Sequence, residues 1–175
     1  AQSLTYAAYS AAHSAIANVQ LADLSSFNQT LPTITGTGVV WNASALTPLA
    51  GYPVIHLQNG IPSLTPNGSL FPLANSVQFD PALVAVLQYN YYNLSADSLV
   101  QVGEYSPSGA HEIYQNPDKR LIFPFNYGQS FSDTYAKTNY NTATTISSYQ
   151  TGSRTVTFSG YGDLQLPQGT FHNVG

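Results

Sequence analysis

The stretch VTFSGYGDLQLPQGTFHNV, residues 156–174, decides the fold of this chain. From Val156 to Leu166 its apolar side chains fall on even positions and its polar ones on odd positions, which is the period of a strand with one buried face. Pro167 presets the first corner of a turn, and Gly169 can take the positive φ that closes a short hairpin. We therefore expect a hairpin with three buried side chains, Phe158, Leu164 and Leu166, and three exposed ones, Thr157, Asp163 and Gln165.

The two glycines of this stretch, Gly160 and Gly162, are also at even positions, on the side of the strand that is expected to be buried. A strand glycine either lets the strand bend or lets another backbone approach closely. The pattern predicts one of these two features on the buried side of the hairpin.

Six further runs have strand character, and turn clusters at 58–60, 66–68 and 106–109 separate them. The runs are residues 33–41, 53–58, 82–92, 98–105, 110–115 and 120–125. Short strands at regular spacing are typical of all-β proteins. We expect one domain over residues 1–175, an antiparallel β-sandwich of the jelly-roll or Ig-like kind.

Two regions depart from this strand pattern. Residues 1–20 begin with the alternation of a strand, but the alanines from Ala7 to Ala17 favour a helix. Five prolines between residues 42 and 79 each remove a backbone donor, so we expect long loops or edge strands there. Any helix should be short and lie near residues 7–18 or within 42–79.

The composition excludes several classes of function. Only 7% of the residues are charged, with four basic and eight acidic side chains, so nothing marks a nucleic-acid or anionic-membrane partner. The chain has no cysteine, which excludes disulfides and thiolate chemistry. No apolar run reaches the roughly 20 residues of a membrane-spanning helix, so we expect no membrane insertion.

The first residues, AQSLTY, lack an initiator Met, and the sequence contains no Met at all. This is the appearance of a chain that begins at a signal-peptidase cut. We therefore expect a secreted protein that is extracellular or bound to the cell surface.

Two segments carry a resemblance to a known family: GYGDLQLPQGTFHNV at 160–174 and EIYQNPDKRLIFPFNYGQSFSDTY at 112–135. Together they resemble a recurrent N-terminal region of Bacteroidetes proteins exported by the type IX secretion system. The resemblance implies an extracellular domain that such a hairpin closes, and it names no chemistry. Those proteins continue to a C-terminal sorting domain, which leaves open whether residues 1–175 are part of a longer precursor.

The titratable residues do not form a recognisable catalytic or metal site. His111 and Glu112 point to opposite faces of a strand, so ordinary surface roles are favoured for them and for Asp118 over a metal site. His56 alternates with apolar neighbours and should face solvent or a polar groove. No spacing among the scattered carboxylates selects an acid–base pair. We expect no enzyme, no cofactor and no metal; Asp133 and Asp163 are the first candidates for any bound cation.

Several positions match glycosylation patterns. Asn28, Asn42, Asn67 and Asn93 begin N-x-S/T sequons, and such matches are frequent in a chain this rich in Asn, Ser and Thr. The tripeptide DSL at 97–99 resembles the O-glycosylation site of Bacteroidetes, which would modify Ser98 on a loop.

The run QYNYYN at 88–93 is a candidate ligand surface. Tyr89 and Tyr91 share one strand face and Tyr92 lies on the other, so rings beside asparagines could contact a surface glycan. The competing and favoured interpretation is that Tyr89 and Tyr91 pack half-buried in a sheet.

These features favour a non-enzymatic, secreted structural or adhesive module of the cell surface, with a homo-oligomer or filament as its assembly. The N-terminal segment AQSLTYAAY could add as a strand to the next copy, or it could pair within its own domain. A carbohydrate-binding module is the second interpretation, and a secreted hydrolase is the third.

Overall fold

The computed structural model describes residues 2–23, 25, 34–83 and 88–175, and these residues form an all-β, sandwich-like fold with one α-helix. The helix is α1 (Tyr6–His13), and single 3₁₀ turns span Pro62–Leu64 and Gly68–Leu70. The strands are β1 (Ser3–Leu4), β2 (Ala17–Val19), β3 (Ala22–Asp23), β4 (Gly36–Asn42), β5 (Thr47–Pro48), β6 (Ile55–Gly60), β7 (Ser76–Phe79), β8 (Tyr89–Leu94), β9 (Ser98–Tyr105), β10 (His111–Ile122), β11 (Phe125–Asn126), β12 (Ser130–Tyr140), β13 (Ile146–Thr157), β14 (Gly160–Leu166) and β15 (Gly169–Val174). The predicted fold class is confirmed.

The large sheet has eight strands in the order β13-β12-β10-β9-β8-β7-β6-β2, and every neighbouring pair is antiparallel. Strands β6 to β10 lie side by side in the order of the sequence, and β12 and β13 follow next to β10. Residues directly opposite one another in such a sheet point to the same face. The pairing register therefore tells which side chains share a surface.

One face of the large sheet carries an aromatic core of Phe71, Val77, Tyr89, Tyr91 and Val102. Phe71 comes from the loop between β6 and β7, and its ring stacks on that of Tyr91 with centroids 3.9 Å apart. Residues 61–75, which include Pro62, Pro66 and Pro72, lie across this face of the sheet, and we call them the cover. Residues 42–79 also contain two interior strands, β6 and β7, where only loops or edge strands were expected.

The hairpin predicted at residues 158–174 is present as β14 and β15, joined by Pro167 and Gln168 with Gly169 at φ 149°. It forms a three-stranded sheet with β4, which runs parallel to β14. A Cβ on Gly162 would lie 1.8 Å from the carbonyl oxygen of Val39. The predicted close backbone approach is therefore confirmed at this glycine.

The expected burial within the hairpin is only partly right. Phe158 is 8% exposed, but Leu164 and Leu166 are half-buried, as are the supposedly exposed Asp163 and Gln165. The sheet to which β14 belongs has only three strands, so neither of its faces is completely covered or completely open.

The remaining strand predictions differ from the structure mainly at their ends. The runs 110–115 and 120–125 were expected as two strands, but β10 runs through both with shifts in register on the way. The run 82–92 yields a strand only from Tyr89, and its residues 84–87 lie outside the described part of the chain, as does the first residue of the run 33–41.

The N-terminal segment is helical rather than extended. Only Ser3 and Leu4 form a strand, and Thr5 caps the helix by accepting a hydrogen bond from Ala8 N at 3.2 Å. No helix among the described residues is long and apolar enough to cross a membrane. An extended donor strand over residues 1–9 is therefore absent from this conformation, because residues 6–9 are helical.

Candidate functional site

The three tyrosines predicted to form a ligand surface lie on opposite faces of β8. Tyr89 and Tyr91 are 7% and 0% exposed in the aromatic core, and the Tyr91 hydroxyl lies 2.8 Å from Thr65 Oγ1. Both tyrosines are therefore more deeply buried than the favoured interpretation expected, which had them half-buried in a sheet. The ligand role predicted for them is wrong. Tyr92 points to the other face and is half-buried, and burial raises the pKa of its hydroxyl.

The face that carries Tyr92 gathers much of the charge of the chain. Of the four basic and eight acidic residues in the sequence, three basic and four acidic ones lie on this face. They are Glu104, Glu112, Asp118, Arg120, Asp133, Lys137 and Arg154, and the fourth basic residue, Lys119, reaches Asp133 with its Nζ at 4.0 Å. In a chain with so little charge, this concentration marks a surface with a specific role.

Asp118 anchors one half of this group. Its carboxylate is 2% exposed and accepts two hydrogen bonds from Arg154, at 2.9 and 3.0 Å. Arg120 Nε lies 3.2 Å from the same carboxylate, as an ion pair without hydrogen-bond alignment, and the Arg120 guanidinium donates to Gln101. A buried carboxylate with two guanidinium partners is a structural element, because removing one partner would leave a charge uncompensated.

A row of polar side chains crosses the sheet beside this group. Each member lies opposite the next on the neighbouring strand, through seven strands from β6 to β13. The members of this polar row are Asn59, Gln78, Asn90, Glu104, Glu112, Asn139 and Ser148. All are half-buried except Ser148, which is exposed.

The centre of the polar row is a pair of like charges, since Glu104 lies directly opposite Glu112. Glu112 is paired with Lys137, whose Nζ is 2.5 Å from Oε2. Burial lowers the pKa of Lys137, but this hydrogen bond outweighs it and holds that pKa above its usual value. For Glu104, burial raises the pKa and the charge of Glu112 raises it further.

The histidines are placed differently from one another. His111 was expected at the surface with Glu112 and Asp118, but it is 4% exposed, and its ring stacks on Tyr140 at 4.5 Å. The surface role is wrong for His111, whose ring packs between Tyr105 and Tyr140, and for Asp118, whose carboxylate is enclosed by Arg120 and Arg154. His56 is exposed, as predicted, and its Nδ1 lies 2.6 Å from Asn18 Oδ1.

The two acidic residues named as cation candidates lie in different sheets. Asp133, on β12, accepts a hydrogen bond from Lys119 N at 2.9 Å. Asp163, on β14, lies 3.0 Å from His172 Nδ1. Among the residues that the structure describes, no group of three or more acidic, His or Cys side chains could hold a metal ion.

The sequon asparagines differ in accessibility. Asn42 is exposed at the end of β4, and its Oδ1 accepts hydrogen bonds from the backbone and the hydroxyl of Ser44, at 3.1 and 2.7 Å. Asn67 and Asn93 are half-buried, and Asn93 Nδ2 donates to Leu73 O at 2.8 Å. Asn28 lies outside the described residues. Modification would therefore be least disruptive at Asn42.

Ser98 was expected on a loop but is the half-buried first residue of β9. The turn that precedes it is closed by a hydrogen bond from Ser95 N to Ser98 O at 2.9 Å. Pairing resumes at once between Leu94 and Leu99, so the loop is too short to include Ser98.

A second exposed feature is strand β13, the edge of the large sheet. It pairs with β12 without a register shift from Ser148 to Thr157. Residues 146–151 are exposed on both faces, and Tyr149 is 76% exposed. One face of the β12–β13 pair carries two rows of exposed hydroxyls, Ser130, Ser132 and Thr134 beside Ser153, Thr155 and Thr157.

Comparison with known proteins identifies no relative: no family model, no curated protein and no solved structure matches this chain. The candidate sites therefore depend on the geometry alone. The sequence identified Tyr92 and the carboxylates singly but not the polar row, because its seven members lie on seven different strands. Only the register between strands aligns them.

Proposed function

We propose that this domain is a secreted structural or adhesive module of the cell surface, which associates with copies of itself along strand β13. The observation that carries the proposal is the edge strand β13, which pairs on one side only among the described strands. Secretion is supported by the scarcity of charge and by the resemblance of residues 112–135 and 160–174 to exported proteins.

From Ser148 onward, strand β13 lacks the features by which proteins protect an edge. Such edges are normally short, interrupted by proline or a bulge, or guarded by charges. β13 is twelve residues long with the sequence ISSYQTGSRTVT, its register shift lies at its start between Ile146 and Ser148, and its one charged residue, Arg154, is held by Asp118. Residues 148–153 therefore present backbone groups to which a second strand can pair.

The partner strand differs from the one expected from the sequence. The N-terminal segment is occupied within its own chain, where Ser3 and Leu4 pair with Asn126 and Phe125. A second β13 is the better partner, because two copies related by a two-fold axis can pair antiparallel without placing the two Arg154 side chains opposite each other.

The test compares two doubly substituted proteins by analytical ultracentrifugation over a range of concentrations. Thr151→Lys with Ser153→Lys places charges on the edge, where like charges across a strand pair are destabilising. Ser132→Lys with Thr134→Lys adds the same charge to the same face on the interior strand β12. We expect the wild type and the β12 variant to associate, and the β13 variant to remain monomeric.

The absence of cysteine allows a second readout of the same interface. A single Thr151→Cys variant should form a disulfide-linked dimer under mild oxidation if the strands pair around this residue, whereas Ser132→Cys should not. A wild type that stays monomeric at every concentration, or equal association of both lysine variants, would overturn the proposal.

A further inference from the structure

We propose that the polar row is a binding site for a neutral oligosaccharide whose chain lies across the strands. The site is separate from the edge of β13, so the inference does not depend on self-association. It rests on three observations: the length and chemistry of the row, the unfavourable pair at its centre, and the balance of charge around it.

The length and chemistry of the row suit an extended sugar chain. The part of the row from Gln78 to Asn139 crosses five strands spaced about 4.8 Å apart, which gives a track of roughly 19 Å. This spacing is close to the length of one sugar residue in an extended chain. Amide side chains both donate and accept hydrogen bonds, and carboxylates accept, so the row can pair with hydroxyl groups that do both.

The centre of the row has the character of a functional site. Like charges directly opposite each other in a sheet are destabilising, yet Glu104 and Glu112 occupy such positions. Glu112 has Lys137 as its partner, but the Glu104 side chain makes no hydrogen bond or close ion pair with any described residue. Proteins break such local rules at functional sites, and here the charges of Lys137 and Arg120 offset the effect on Glu104 only in part. A sugar hydroxyl would supply the donor that Glu104 lacks.

The surroundings of the row favour a neutral ligand over a charged one. The four carboxylates on this face, Asp133 included, are balanced by four basic side chains once Lys119, whose Nζ lies 4.0 Å from Asp133, is counted, so the surface has no net charge to attract an ion. No member of the row is apolar, which disfavours a lipid or an apolar peptide. The half-buried ring of Tyr92 lies beside the row, on the side where helix α1 contacts the sheet.

Helix α1 limits the site at one end. The carbonyl oxygen of His13, its last residue, accepts a hydrogen bond from Asn59 Nδ2 at 2.5 Å, and His13 Nε2 lies 2.8 Å from Ser76 Oγ. The helix thus covers the end of the row at β6. The portion from Gln78 to Asn139 is the part where the oligosaccharide binds.

Native gel electrophoresis with polysaccharide in the gel tests this inference with four neutral probes: hydroxyethyl cellulose, xylan, mannan and laminarin. We expect at least one of them to retard the wild type. Asn90→Ala should weaken the retardation at least five-fold. Ser132→Ala, an exposed substitution on the opposite face, should leave it unchanged.

A Glu104→Gln variant separates a binding role from a structural one. This substitution removes the unfavourable like-charge pair while keeping the shape, so it should raise the thermal midpoint and weaken retardation together. A purely structural residue would not change the two measurements in opposite directions. Circular dichroism confirms that each variant is folded.

Two results would overturn the inference: retardation by none of the four polysaccharides, or retardation that survives both Asn90→Ala and Glu104→Gln. The β13 variant with Thr151→Lys and Ser153→Lys keeps the two proposals distinguishable. It should bind the polysaccharide as the wild type does, whatever its oligomeric state.

Discussion

At the scale of single residues, the Glu104–Glu112 pair shows how burial and a neighbouring charge act on one carboxyl. Burial raises the pKa of Glu104, Glu112 raises it further, and Lys137 and Arg120 lower it only in part. Its pKa is therefore higher in the folded than in the unfolded protein. The resulting contribution to stability is complete below the ordinary pKa of 4.5 and is lost as the pH rises through the raised value.

A substitution at this position should therefore have a pH-dependent effect. At pH 7 we expect Glu104→Gln to be more stable than the wild type by about 0.2–1 kcal/mol, the usual cost of a cross-strand pair of like charges. The gain should disappear as the pH falls below the ordinary carboxyl range. Glu112→Gln is the control and should be destabilising at pH 7, because it removes the partner of Lys137. Urea unfolding at several pH values measures both, and a destabilised Glu104→Gln protein at pH 7 would contradict the argument.

At the scale of elements, the cover formed by residues 61–75 matters more than its irregular backbone suggests. Phe71 is 3% exposed and stacks on Tyr91, and a Cβ on Gly103 would lie 2.0 Å from its ring. The strand below therefore contains a glycine where the ring lies against the sheet. The cover is part of the core although it has only two single 3₁₀ turns.

We expect Phe71→Ala to lower the free energy of unfolding by about 3–5 kcal/mol, through lost burial and the cavity left behind. Leu73→Ala, in the same loop at 62% exposure, is the matched control and should change it by less than about 0.5 kcal/mol. Both values follow from urea denaturation curves. Similar effects from the two substitutions would show that the loop is not packed as described.

The elements also show what can be predicted from sequence alone. The strand expected at 98–105 has those bounds in the structure, because alternation and turn residues define both of its ends. The runs 110–115 and 120–125 were separated by Asn116 and Pro117, yet pairing to β9 continues beyond them from Asp118. A tertiary contact, the ion pair of Asp118 with Arg154, holds the strand together there. Such a contact cannot be predicted from local propensity.

At the scale of the whole molecule, alternation along each strand predicted the fold class, and register between strands determines the candidate site. Alternation along β8 correctly placed Tyr89 and Tyr91 on one face and Tyr92 on the other. Alternation could not tell which face would be covered, because the Phe71 loop that buries Tyr89 and Tyr91 is distant in sequence. The polar row was missed for the same reason.

The N-terminal segment contacts both the three-stranded sheet and the large sheet, and these contacts determine the effect of removing it. Gln2 accepts a hydrogen bond from Tyr127 N at 3.0 Å, and its side chain donates to Asn173 O at 3.2 Å. The Tyr9 ring lies 5.2 Å from that of Phe123, which follows β10 and is 7% exposed, and the carbonyl oxygen of His13 accepts a hydrogen bond from Asn59 on β6 of the large sheet. The segment thus contacts both the small sheet and the large one.

Deletion of residues 1–13 should therefore lower the thermal midpoint markedly, since it exposes Phe123 and removes the pairing of Phe125. Tyr9→Ala should produce part of this loss, at least the roughly 0.5–1.5 kcal/mol of an aromatic pair. Both effects should be independent of protein concentration, because the contacts lie within one chain. Association along β13 should persist in Tyr9→Ala. A deletion protein that keeps its thermal midpoint but loses its oligomers would instead show that residues 1–13 act as a donor strand for a neighbouring copy.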